Sequence, residues 1–221
     1  MNLGELRKSF RVKTGDLASP YLWKDDEVDG YINEALVEAV DRGLMVFDRA
    51  SFTVDVEVGV TEYQLDASII RVKEVWVTTK DGVALDTPEL LHPSRAYAGY
   101  ERDVFSELSQ DSQGYRVEED GLFILGADPA VSAVLSLVVY RYARTLEDDS
   151  DTPEIANMYH NRMLEWALKL AYLKQDADTF DPNASNRHDA EFSRTFGPSK
   201  TAQQHRQRRR KAARSYKTPS Y

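Results

Sequence analysis

The chain has 221 residues, 42% of them hydrophobic and 29% charged, a composition that builds one large or two small globular domains and excludes wholesale disorder. It contains no cysteine, which excludes disulfides, thiolate nucleophiles and cysteine-ligated zinc and suits a reducing compartment or a particle assembled inside one. The formal net charge of -9 is unevenly divided: no Asp or Glu follows Glu191 but nine Lys and Arg do, so residues 1–191 carry -18 and the last thirty carry +9.

The opening "MNLGELRKSF" lacks the apolar run of a secretory signal, and no stretch approaches the roughly 18 apolar residues of a membrane span. These features predict a soluble protein of an intracellular setting. Leu3, Leu6 and Phe10 follow helical spacing, with Gly15 placed to stop that helix as a left-handed cap. After the turn "LASPY", Val28, Ile32, Leu36, Ala39 and Gly43 fall on one stripe and predict a helix over roughly residues 25–46. Trp23 and Val28 have the spacing of a hydrophobic staple, and Asp25, Asp26 and Glu27 put negative charge at the positive end of the dipole.

The hydrophobic period then changes from 3.6 to 2. In "SFTVDVEVG", Phe52, Val54, Val56 and Val58 alternate with Thr53, Asp55 and Glu57, which predicts a strand with one wet, negative face. "TEYQL", "IIRVKEVWV" and "VALD" continue as short strands around a Lys80-Asp81-Gly82 turn. "TPELLHPSRAYAGYERD" reads as a short helix and loop, "YRVEEDGLFIL" as a hairpin turning at Asp120-Gly121, and "VLSLVVYRYAR" as a closing strand. Past the acidic "EDDSDTPE", with Pro153 in a first turn capped by Thr152 or Asp151, the positions Ile155, Tyr159, Met163, Trp166, Leu170 and Leu173 predict a core helix of about 20 residues. A shorter helix around "NRHDAEFSRTF" ends at Gly197-Pro198, and the rest shows no apolar periodicity. The fold class expected is α+β, mainly helical. Residues 1–49 and 146–197 form a helical bundle, residues 50–145 an inserted antiparallel β module, and residues 198–221 an extended basic tail, disordered when free.

Motifs of catalysis are missing. His92, His160, His188 and His205 are scattered without metal-ligand spacing, and His160 lacks an HExxH frame, so its reading is structural or surface. "EDDSDTPE" has the acidity of a calcium loop without its pattern, because Pro153 takes the fifth ligand place and the turn glycine is absent. No glycine-rich phosphate loop or nucleophile elbow occurs. Trp23, Trp76 and Trp166 each fit an apolar stripe and read as core, and Asn33 in "YINEA" is the polar helix residue that stands out. The expectation is a protein that is not an enzyme and uses no metal or other cofactor.

The run "PYLWKDDEVDGYINEALVEAVDRGL" resembles the opening of the head-to-tail adaptor (connector) proteins of tailed bacteriophages. The features shared are Trp23, the acidic helix start Asp25 to Glu27, the stretch Tyr31 to Ala35, and a later turn with Gly59, Tyr63 and Leu65. Lys24 departs from the pattern, standing where a Ser, Thr or Asp cap is usual. The resemblance implies a virion protein at the head-to-tail junction, assembled in the host cytoplasm. Twelve copies would form a ring beneath the portal protein, extend the DNA channel and present a platform to a nozzle or tail-completion protein. Genomic DNA would pass without specific binding, and no membrane is involved.

The same resemblance makes the C-terminal extension the portal-docking element. Its carriers are Arg206, Arg208, Arg209, Arg210, Lys211, Arg214 and Lys217, with Tyr216 and Tyr221 as anchors. Thr53, Asp55 and Glu57 are the matching candidates for a tail-side face. The alternative for "RQRRRKAAR" is a nucleic-acid-binding arm, a reading weakened by the lack of interleaved aromatics before Tyr216.

Overall fold

The computed structural model describes residues 1–91, 114–118, 120–126, 128–175 and 178–210. It is an α+β fold with two compact units, Met1–Val46 with Tyr142–Lys200, and Phe47–Arg141 with Thr201–Tyr221.

The first unit is helical. Helix α1, Leu3–Thr14, begins with a capping box in which Asn2 Oδ1 accepts from the Glu5 N–H at 2.9 Å and Glu5 Oε2 from the Asn2 N–H at 3.1 Å. Leu3, Leu6 and Phe10 are fully buried, each burial contributing about 1.5–3 kcal/mol. Gly15 closes the helix at φ 74°, its N–H donating to the Arg11 carbonyl. Helix α2, Asp25–Gly43, follows Lys24, which makes no side-chain cap bond; the buried pair Trp23 and Val28 flanks that weak start. The helix stops before residue 46 because Leu44 turns left-handed at φ 51° and donates to the Val40 carbonyl. A Cβ at Gly43 would stand 2.7 Å from Met45 Cγ, so a larger residue there would displace the Met45 side chain.

The third helix corrects the sequence reading. Helix α3 is His160–Leu173, 14 residues, entered through a 3-10 turn at Asn157–Tyr159, so Pro153 lies outside any first turn. The acids before it stabilise the connection instead of capping a helix. Asp151 Oδ2 accepts from the N–H groups of Glu147 and Asp148 at 2.8 and 2.9 Å, and Glu154 Oε2 from that of Arg144 at 2.9 Å. Ile155 is buried ahead of the helix and Leu173 is partly exposed at its end. Helix α4, Pro182–Phe196, is capped by Asp181 Oδ1 on the N–H groups of Asn183 and Ala184. Helix α1 packs on α2 and α3, and α3 on α2 and α4. Asn33 ties α2 to the returning chain, donating to the Leu146 carbonyl at 3.0 Å and accepting its N–H at 2.8 Å. His160 is buried, with Nε2 3.0 Å from the Ile155 carbonyl, a structural position.

The second unit contains β1 Phe47–Val56, β2 Glu62–Gln64, β3 Ile69–Lys80, β4 Val83–Leu91, β5 Tyr115–Val117, β6 Leu122–Leu125 and β7 Ala133–Arg141. They form two antiparallel sheets, ordered β1-β7-β3-β4 and β2-β6-β5. One apolar cluster draws on both, from Val54, Val75, Leu135 and Leu137 to Tyr115 and Phe123. Tyr115 and Phe123 stack at 5.3 Å, and burial pushes the Tyr115 hydroxyl up to about 12. Two expectations change. "TPELL" belongs to β4 and not to a short helix, the remainder of that segment lying outside the described residues. Val58 is exposed because β1 ends at Val56 and the chain turns.

Strand β1 starts at Phe47, earlier than the alternation suggests, because a bulge after Asp48 interrupts the pattern. Asp48 Oδ1 accepts from the N–H groups of Ser51 and Ala50 at 2.9 and 3.1 Å, while Oδ2 accepts from Arg141 Nε at 3.1 Å. The Ser51 N–H, against the opposing effect of burial and aided by the Ala50 N–H and Arg141, holds the carboxyl well below the usual carboxylate range. A depressed folded-state pKa gives stability that is complete above the unfolded value near about 4 and is lost as pH falls below it. The stability gap between wild type and Asp48→Asn is therefore expected to shrink from pH 7 toward pH 2 in denaturant titrations. A gap independent of pH would show that the carboxylate charge plays no part.

Candidate docking site

Helix α4 ends at Gly197, whose carbonyl accepts from Arg42 Nη1 at 2.9 Å. Three residues on, Lys200 Nζ donates to the carbonyls of Asp41 and Arg42 at 3.0 and 2.9 Å. These carbonyls belong to the last turn of α2, where a cation complements the helix dipole. The base of the basic segment is thus fastened to the body by a lysine that sequence reasoning counted only as charge.

The next residues correct the expectation of a structureless tail. Ala202–Arg210 form helix α5, which lies against β3 and β5. Its start is a second capping box, with Thr201 Oγ1 accepting from the Gln204 N–H at 3.3 Å and Gln204 Oε1 from the Thr201 N–H at 3.0 Å. The signal was legible in "TAQQ", and Ala, Gln and Arg are strong helix formers. Apolar periodicity, the feature sought in the sequence, is not what makes this helix. One term opposes it: nine residues are few for an isolated helix.

Arg206 is exposed on α5. Arg208, Arg209 and Arg210 occupy its last turn, where a cation suits the dipole, and their side chains lie outside the described set. Lys211, Arg214, Tyr216, Lys217 and Tyr221 also lie outside the described residues. On β1, Thr53 and Asp55 are exposed between the buried Val54 and Val56, and Glu57 is exposed just past the strand end. Tyr63 fixes that end, its hydroxyl accepting from the Glu57 N–H at 3.0 Å and donating to the Val60 carbonyl at 2.8 Å.

Among the described residues, no group of three His, Cys, Asp or Glu side chains is placed to hold a metal ion, and no helix is long and apolar enough to cross a membrane. Among curated proteins nothing matches the chain. The profile of the SU10 adaptor protein family matches residues 1–216, from α1 into the basic segment. A match of that extent covers nearly the whole chain, and the chain belongs to the SU10 adaptor protein family, a family of phage head-to-tail adaptors.

Proposed function

We propose that the protein is a structural component of the virion that forms a ring of twelve copies beneath the portal, continues the DNA channel and offers a platform to the tail. The observation that carries this reading is the acid-free segment from Lys200 onward, set on a body whose first 191 residues hold a charge of -18. A basic lumen would retain DNA through counterion release, whereas an acidic body lets a polyanion pass. The cations of Arg206, Arg208, Arg209, Arg210, Lys211, Arg214 and Lys217 then serve a protein partner, with Tyr216 and Tyr221 as anchors. Exposed ion pairs contribute only about 0–1 kcal/mol each, so the junction relies on many copies raising one another's effective concentration. Thr53, Asp55 and Glu57 face the later-binding tail component in this arrangement.

Truncation after Gly197 would also remove Lys200 and its bonds to α2, so the cut belongs after Lys200. The truncated protein, and a full chain with Arg206, Arg208, Arg209 and Arg210 changed to Glu, are expected to keep a folded helical unit and to lose co-sedimentation with portal. Undiminished portal binding by either would remove the basic segment from the dock. Loss of salt-dependent duplex DNA binding alone would instead favour the nucleic-acid arm.

A further inference from the structure

At one end of the sheet unit three connections are joined through the main chain. The Gly59 N–H donates to the Pro129 carbonyl at 3.1 Å and the Asp81 N–H to the Ser132 carbonyl at 2.7 Å. These bonds place the β1–β2 turn, the β3–β4 turn and the β6–β7 connection side by side. Val58, Val60 and Val131 stand on them and Val83 follows directly at the start of β4, each between 38% and 67% exposed. A single exposed valine is ordinary, but four on or next to mutually bonded turns form a patch of the kind that marks an interaction surface.

The patch adjoins a cavity of about 360 Å³, within the size range of ligand sites and walled by Val56, Val77, Leu125, Val131, Ala133 and Leu135. Its charged lining is unequal. Lys80 is engaged by Glu89 at 3.0 Å, which leaves Asp128 in the lining as negative charge, and Glu57 and Asp81 add two more acids on the adjoining turns. The site is therefore an apolar socket with an acidic rim, held in shape by backbone bonds, so little ordering cost falls on the socket when something enters it.

We propose that this end of the sheet unit is a socket for a polypeptide segment of a tail-side virion protein, which inserts one large apolar or aromatic side chain flanked by Lys or Arg. The socket is read from the structure alone, and the identity of its partner rests on the adaptor reading above. Charge selects the occupant. Within a second copy the strongly cationic segment is the one assigned to the portal, so it is not the source of the basic flank. A segment with an apolar plug and a basic flank matches the wall and the rim at once.

The experiment places a photo-cross-linking amino acid at position 131 and irradiates assembled particles. The expected product joins the adaptor to a tail-side protein, at an apolar residue with Lys or Arg within a few positions. A product within one chain at residues 92–113, a product with a second adaptor copy, or no product with a tail-side protein would each overturn the proposal. In parallel, Ala133→Trp fills the socket and Val131→Asp adds charge at its mouth. Each is expected to weaken tail attachment roughly 30-fold, the effect of losing one central contact, with portal co-sedimentation unchanged. Full tail attachment by Val131→Asp, which alters only a surface side chain and decides alone should Ala133→Trp unfold, would overturn it as well. Wild-type protein that does not join portal would sink the adaptor reading along with the socket's partner. Normal portal binding without the cross-link would sink the socket alone.

Discussion

Replacing Arg42 with alanine is expected to destabilise the protein by about 3 kcal/mol, because it removes a buried, multiply bonded cation. Its side chain is 1% exposed. Nε donates to Glu38 Oε1 at 2.7 Å, while Nη1 donates to Ser193 Oγ at 3.0 Å and to the Gly197 carbonyl at 2.9 Å. Its guanidinium carbon also lies 4.8 Å from the Trp166 ring and 5.0 Å from that of Phe192. Glu38 is partly exposed and recovers water when the arginine is lost, so the larger cost comes from the stranded carbonyl, the emptied volume and the two lost ring contacts. Arg42→Lys keeps the charge without the planar fork and should restore only a minority of the loss. Urea unfolding monitored by tryptophan fluorescence measures both. A cost below about 1 kcal/mol for Arg42→Ala would mean that the site relaxes around the gap. The same change loosens Gly197, where the basic segment departs, so portal binding should weaken beyond what lost stability alone explains.

Much of this architecture is visible in the chain before any coordinates. The Leu3, Leu6 and Phe10 stripe, the Trp23 and Val28 staple and the Thr53/Asp55 alternation are local patterns whose period reports directly which face is buried. The readings that fail do so where side chains and backbone trade partners over short distances. Asp151 looks like a helix cap in "DDSDTP", yet it folds back on Glu147 and Asp148, and the helix waits for His160. Asp48 holds a bulge that shifts β1 out of strict alternation, so the strand's first half is hidden from a period-2 search.

The candidate docking site divides in the same way. Its charge asymmetry is a matter of counting, and the helix in the basic segment could have been found from Thr201 and Gln204 had capping been weighed ahead of periodicity. The tether of Lys200 to α2 and the partnership of Asn33 with Leu146 span 159 and 113 positions, and no local pattern encodes such pairs. The socket at the tip of the sheets is less legible still. Val58 reads as a strand residue, and only the bonds from Gly59 to Pro129 and from Asp81 to Ser132 reveal that it shares an exposed end of the sheet unit with Val131.

Asp16→Ala is expected to cost about 3 kcal/mol, the low end of the range for breaking a buried ion pair because Arg11 keeps Asp25, and to disorder the connection between α1 and α2. In "TGDLASPYLW" this residue looks like an ordinary acid of a surface turn. It is instead buried, with Oδ2 accepting from Arg11 Nη1 at 2.7 Å and from the Trp23 N–H at 3.3 Å, and Oδ1 accepting from the Leu22 N–H at 3.0 Å. Arg11 completes the arrangement by donating to the Trp23 carbonyl at 3.1 Å and to Asp25 Oδ1 at 2.5 Å, with its guanidinium carbon 3.6 Å above the Tyr21 ring. One carboxylate thereby sets the course of residues 16–23 and delivers Trp23 into the core. There its ring meets Phe10 at 5.7 Å and Tyr172 at 6.2 Å, both edge-on. Alanine leaves Arg11 with the more exposed Asp25 as its remaining carboxylate and removes the acceptor of two main-chain N–H groups, one of them buried. Asp16→Asn keeps an acceptor for the loop while losing the charge, so it should fall between wild type and alanine. Removing both partners in Arg11→Met/Asp16→Ala should cost less than the two single changes added together, since no unpaired charge is left behind. Denaturant unfolding of the four variants gives the cycle. Additive costs, or an Asp16→Ala penalty near that of a surface substitution, would show that the pair is not what organises the loop.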